Sequence, residues 1–135
     1  MDFTIALFGE AGRGEFQTAY YCKSLEQLCS FLGEPPSKDC RGLDFAVQAL
    51  LFQCGVVYFR VHEEGFSTQD YLKGFNFLEN KDLFPSISAI CLPGVGNAQI
   101  LEATHPVCNI HRSFLVLTEH DLYDYLTFQQ SNTSI

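Results

Sequence analysis

At 135 residues the chain has the length of one domain. A net charge of −8 without a basic run argues against nucleic acid as a partner, because that binding neutralises phosphates with lysine and arginine. Thirteen Phe, six Tyr and no Trp, with 18% charged residues against about 25% in an average domain, predict an aromatic-rich core and an uncharged surface suited to protein contacts.

Phe3–Phe8 (FTIALF) reads as the first strand, broken by the glycine-containing stretch 9–14. Phe16–Cys22 (FQTAYYC) reads as a second, shorter strand. Ser24 has the chemistry of an N-cap, and Gln27 three residues on completes a capping box. Leu25, Leu28, Cys29 and Leu32 form the buried face of the helix that follows, which Gly33 ends. Pro35 and Pro36 mark 34–41 as a loop.

Residues 42–61 (GLDFAVQALLFQCGVVYFRV) predict a helix and then a strand. Leu43, Ala46, Val47, Leu50, Leu51 and Cys54 recur at helical spacing. Gly55 follows where a helix end calls for a left-handed residue. Val56–Val61 is β-branched or aromatic almost throughout, as in a central strand covered on both faces. Ser67 or Thr68 caps a third helix with Tyr71, Leu72, Phe75 and Leu78 inside. Ile87–Leu92 is another buried strand, closed by Pro93-Gly94-Val95-Gly96. Asn97 caps a fourth helix, which Pro106 is expected to end or kink. Ser113–Leu117 is the last strand, and Glu119–Phe128 the last helix, with Leu122, Tyr123 and Leu126 inward. Residues 129–135 read as a polar, frayed tail behind a single domain over 3–128. Strands separated by helices must run parallel with crossover connections. The fold class is therefore α/β: an open, mostly parallel sheet with helices on both faces.

The chemistry-bearing residues do not assemble into a recognised set. Gly9 and Gly14 have the glycine spacing of a phosphate-binding loop, but Glu15 and Phe16 stand where lysine and a hydroxyl are needed. Gly9, Gly12 and Gly14 are also in the wrong order for a dinucleotide fingerprint, and Glu10 and Glu15 repel phosphate. Pro93–Asn97 lies at the carboxyl end of a parallel strand and opens a helix, a place where α/β sheets take ligands, but has no charged group of its own. His62, His105, His111 and His120 form no H-x-x-x-H, and no C-x-x-C occurs, so zinc spacing is absent. Cys91 paired with His105 or His111 would be a nucleophile and base, but its apolar strand favours an inert thiol. Glu119, His120 and Asp121 suit a helix N-terminus, and Glu63-Glu64 reads as a loop pair without an arranged partner. No catalytic, cofactor-binding or metal-binding residue is assigned, and no cofactor. Cys22, Cys29, Cys40, Cys54, Cys91 and Cys108 are scattered. With no leader pattern in Met1-Asp2-Phe3 and no bilayer-length apolar run, the expectation is a cytoplasmic protein with reduced thiols and no membrane partner.

Taken in order, the segments resemble contractile tail sheath proteins of phages, pyocin-like particles and type VI secretion systems. The resemblance covers roughly residues 5–120. Ile5 to Phe16 is similar to the family's opening strand and glycine-containing turn, and Ser24 to Gly33 to its S-L-x-x-F-x-x-x-F-G helix. Leu43–Gly55 followed by Val56–Val61 resembles its A-V-x-x-F-F-x-N-G-G helix and Y-V-V-R-V strand. Asp70 to Leu78 with Ile87 to Gly94 is similar to its A-L-x-x-L-E … I-N-L-V-x-x-P-G unit, and Ser113–Leu117 to its R-F-A-V-L-D strand. Cys54-Gly55 replaces a glycine pair, and Thr118 stands where aspartate is common. The resemblance implies a sheath-like core and a non-enzymatic structural or assembly protein, similar to the sheath's central module without its strand-exchange arms. It implies protein partners: further copies of this chain, or sheath- and tube-like subunits. The alternative is a small α/β ligand-binding protein or enzyme using the loop after 87–92.

Overall fold

A computed structural model describes residues 3–133, with side chains through Phe128. Along them run β1 (Thr4–Gly9), β2 (Ala19–Cys22), α1 (Leu25–Leu32), α2 (Gly42–Leu51), β3 (Gly55–Arg60), α3 (Thr68–Leu78), β4 (Ala89–Cys91), α4 (Ala98–His111), β5 (Phe114–Val116) and α5 (Glu119–Thr133). The strands form one sheet in the order β2-β3-β1-β4-β5. Every neighbouring pair is parallel except β2 with β3, which is antiparallel. This is the expected α/β class, an open and mostly parallel sheet with helices on both faces. The run Val56–Val61 lies inside the sheet but one place off centre, because β1 holds the middle position.

Side-chain alternation along β1 divides the core. Ile5 and Leu7 face one side, where α1 contributes Leu28 and Leu32, α2 contributes Ala46 and Leu50, and α5 contributes Leu122 and Leu126. Ala6 and Phe8 face the other, against Tyr71 and Phe75 of α3 and Ile100 and Val107 of α4. Phe8 stacks on Phe59 at 4.7 Å between ring centroids and meets Phe75 edge-on at 5.1 Å. Gly74 makes room for this ring: a Cβ there would collide with Phe8.

Several expectations are corrected. α2 stops at Leu51, and the left-handed residue after it is Gln53 (φ 66°), while Cys54 precedes the strand. Gly55 opens β3 instead, where a Cβ would press on the Tyr21 ring at 3.0 Å. Val47 and Leu51 are exposed, because the buried face of α2 is centred on Phe45, Ala46, Ala49 and Leu50. On α1 likewise Leu25 is exposed, and on α5 Tyr125 is buried in place of Tyr123. Pro106 sits inside α4, which continues to His111. The ring removes one amide donor, the one that would reach the carbonyl of Glu102, and one turn earlier the Thr104 hydroxyl donates to Leu101 O at 2.6 Å. The buried Ile100, Thr104 and Val107 hold the helix to the sheet on both sides of it. β2 begins only at Ala19 because Gln17 turns left-handed (φ 57°) and carries Phe16 away from the sheet. At the other end the backbone stays helical through Thr133, since residues 129–133 contain neither Gly nor Pro to break the ladder. The last two positions of the expected tail, 134–135, lie outside the described residues.

Candidate functional site

The strand order reverses at β1: β3 lies on one side of it and β4 on the other. In an open α/β sheet, ligands dock at the carboxyl ends of the strands at such a point. Here that point is the end of β1 at Gly9, the loop after β3 and the loop after β4.

Glu64 dominates this region. Its Oε1 accepts the amides of Glu10 (3.0 Å) and Gly42 (2.7 Å), and its Oε2 the amide of Arg41 (2.8 Å). Arg41 is the N-cap of α2 and offers no side-chain cap. A helix leaves its first amides unpaired, so this remote carboxylate serves as the cap, and its charge suits the helix N-terminus. The arrangement is reciprocal: Glu64 N donates to Glu10 Oε2 at 3.0 Å. Gly9 and Gly42 allow the approach, since a Cβ on Gly9 would stand 2.6 Å from Gly42 Cα. Tyr58, fully buried, donates its hydroxyl to Glu10 O at 2.8 Å. Burial and then the Glu64 charge hold its ionisation far above the ordinary tyrosine range. The Tyr71 hydroxyl accepts the amide of Gly65 at 2.8 Å, and burial raises its ionisation as well. Gly65 packs against the carbonyl of Gly94 so closely that no side chain fits. Thus the loop after β3 folds over the end of β1 and meets the loop after β4.

Beside this cap, Asp70 in the first turn of α3 is buried and its Oδ2 accepts from the amide of His62 (2.8 Å) and from His62 Nδ1 (2.7 Å). Burial pushes its carboxyl upward, but the two His62 donors outweigh that, and the net shift is down. The His62 ring is mostly exposed and stacks on Phe16 at 3.5 Å, and Arg60 also lies over the Phe16 ring, 4.2 Å from its centroid. Arg60 Nη1 also donates to Gly14 O. An aspartate-oriented imidazole is able to act as a base. The nearby Ser67 hydroxyl, however, is committed to Glu63, donating to its carbonyl at 3.0 Å and accepting its amide at 3.1 Å. The Arg60–Phe16–His62–Asp70 stack closes the glycine-containing loop onto β3.

The sequence-level candidates separate in space. The 9–14 loop is tied down by Glu64, by Arg60 and by the pairing of Arg13 N with Leu32 O at 3.0 Å. Asn97 Oδ1 caps α4, accepting from Gln99 N and Ile100 N. Cys91 is fully buried on the α2 side of the sheet, whereas α4, with His105 and His111, packs on the opposite side, so no nucleophile–base pair forms. Burial raises the Cys91 thiol strongly. His111 Nε2 donates to Leu78 O at 2.6 Å. Asp121 closes the start of α5, accepting from the amides of Leu117 and Thr118 while its own amide donates to Thr118 Oγ1. His120 pairs with Asp124 at 3.3 Å on the surface. Glu64 is the correction with most consequence: it has three amide partners supplied by segments 22 and 54 residues away. The sequence carried one signal of this, a helix start at Arg41-Gly42 without a local capping residue. The Asp70–His62 pair had none beyond an acidic first turn.

Among the described residues, no cluster of three or more His, Cys, Asp or Glu side chains is placed to hold a metal, and no helix is long and apolar enough to cross a membrane. No family model, curated protein or solved structure matches the chain, so nothing in the comparisons links it to sheath proteins.

Proposed function

We propose that the chain is a non-enzymatic structural or assembly protein that works through protein contacts. The observation that supports this most is Glu64. Its carboxylate fills the amide cradle at the head of α2, where an anionic ligand of an α/β fold would bind. The Gly65–Gly94 contact closes the loops above it. The half-exposed Phe114, Phe128 and Tyr123 and the well-exposed Leu51 add apolar surface of the kind protein contacts use. A contractile sheath as the setting rests on the segment resemblance alone. Co-assembly with tube and sheath subunits, scored by electron microscopy, tests it.

Calorimetry with ATP, GTP and NAD tests the non-enzymatic reading. The expected affinity is no tighter than millimolar, about 4 kcal/mol of binding free energy. Micromolar binding, with amide shifts centred on Pro93–Asn97, would overturn it in favour of a ligand-binding protein using the loop after β4.

A further inference from the structure

We infer that the groove between β5 and α5 docks a segment of a partner protein that presents one large apolar side chain flanked by lysine or arginine. This rests on the assembly reading and names the chemistry of the partner. The groove has a volume of about 340 Å³. That is near the lower end of ligand sites, which run from about 300 to 1,000 Å³, and suits one or two side chains better than a whole cofactor. Its floor is Val116 and Tyr125, both buried. Tyr125 is fixed there by a hydrogen bond between its hydroxyl and Ser88 Oγ. Its rims are Phe114 and Phe128, 54% and 55% exposed, large for aromatic side chains with no structural need to face water. Phe114 leans on the Tyr125 ring at 5.7 Å.

Charge selects the occupant. The polar lining consists of Asp121 and Asp124, and no lysine or arginine lines the groove among the described residues. Hydrogen bonds from the Leu117 and Thr118 amides hold the Asp121 carboxyl below its usual range, so it stays ionised. Asp124 stands 62% exposed on the next turn, with only His120 beside it as an ionic partner among the described residues, 3.3 Å from its Oδ2. An apolar floor beside two carboxylates fits a cation placed next to an aliphatic or aromatic anchor. A second copy of the chain is a poor occupant: it carries the same carboxylates and the same net charge of −8, so like charges would meet at the contact.

The test is selection of a displayed library of random dodecapeptides against the whole protein. Enriched peptides are then resynthesised and their affinities measured by fluorescence anisotropy. The expected result is a consensus with an aromatic or aliphatic anchor and nearby basic residues. Its affinity should fall at least tenfold in Asp124→Lys, fall at least tenfold in Phe114→Ser, and weaken with added salt. Both positions are exposed, and circular dichroism is to check that each variant folds before its affinity is compared. No enrichment, an acidic or uncharged consensus, or affinity unchanged by Asp124→Lys would overturn the inference. So would a concentration-dependent dimer abolished by Phe114→Ser, which would make the occupant a second copy. None of these failures touches the assembly reading, which falls instead on micromolar nucleotide binding at the loop after β4.

Discussion

Glu64 receives the amides of Glu10, Arg41 and Gly42 at 2.7–3.0 Å. Glu64→Ala leaves three donors without their acceptor, and hydrogen bonds to charged groups contribute about 1.5–3 kcal/mol each before water compensates a half-buried site. The expected loss is about 2–3 kcal/mol in urea unfolding, with Glu64→Gln losing less because one amide oxygen remains. A loss under about 0.5 kcal/mol would show that water replaces the carboxylate at no cost. Asp70 makes a second residue-scale prediction. Its folded pKa lies below the ordinary 3.8 because the His62 donors outweigh burial. A depressed carboxylate contributes stability that is fully present above the unfolded value and is lost as pH falls through the folded one. Wild type should therefore lose stability more steeply than Asp70→Asn as the pH falls below the ordinary aspartate value of 3.8. Parallel acid-unfolding curves for the two proteins would contradict the assignment.

Two elements carry predictions of opposite sign. β3 pairs on both sides, and Val57 is 3% exposed in the cluster that holds Phe8 and Phe59. Val57→Asp buries a charge without a partner, at an expected cost of about 4 kcal/mol or more. Near-wild-type thermal stability would remove this strand from the interior. α4 keeps Pro106 in its interior at an exposed position. Proline is about 3 kcal/mol less favourable than alanine inside a helix, and at this exposed position water recovers part of that by reaching the carbonyl of Glu102, which has lost its amide donor. Pro106→Ala should therefore stabilise by about 1–2 kcal/mol, read as a rise in melting temperature. Unchanged or lower stability would mean that the helix bends at Pro106 to reach its packing site.

For the molecule as a whole, the two-sided core sorts the six thiols. Cys29 is exposed and Cys108 half-buried, whereas Cys22, Cys40, Cys54 and Cys91 are buried. Burial pushes Cys22 up to about 11 and raises Cys40, Cys54, Cys91 and Cys108 as well. The thiolate is the reacting species. At about pH 8 a disulfide reagent should modify Cys29 promptly and Cys108 slowly. All six thiols should react after denaturation. Reaction of any thiol besides Cys29 and Cys108 in the native protein would show that one face of the sheet opens.

The element order, the α/β class and the parallel strands follow from the sequence alone, because hydrophobic periodicity and capping residues are local properties. Ser24 and Asn97 cap α1 and α4 as their types predict, and Gly33 turns left-handed at φ 69° to end α1. Only the tertiary structure decided that β1 takes the centre, since strand order depends on which faces the helices cover. It also decided that Gly55 and Gly74 are glycine for the sake of Tyr21 and Phe8, because steric need comes from neighbours distant in the chain. The site was least legible for the same reason. Glu64 looked unpartnered beside Glu63, yet its acceptor role is set by amides at residues 10, 41 and 42. Nothing local encodes a cradle that exists only once β1, α2 and the loop after β3 have met.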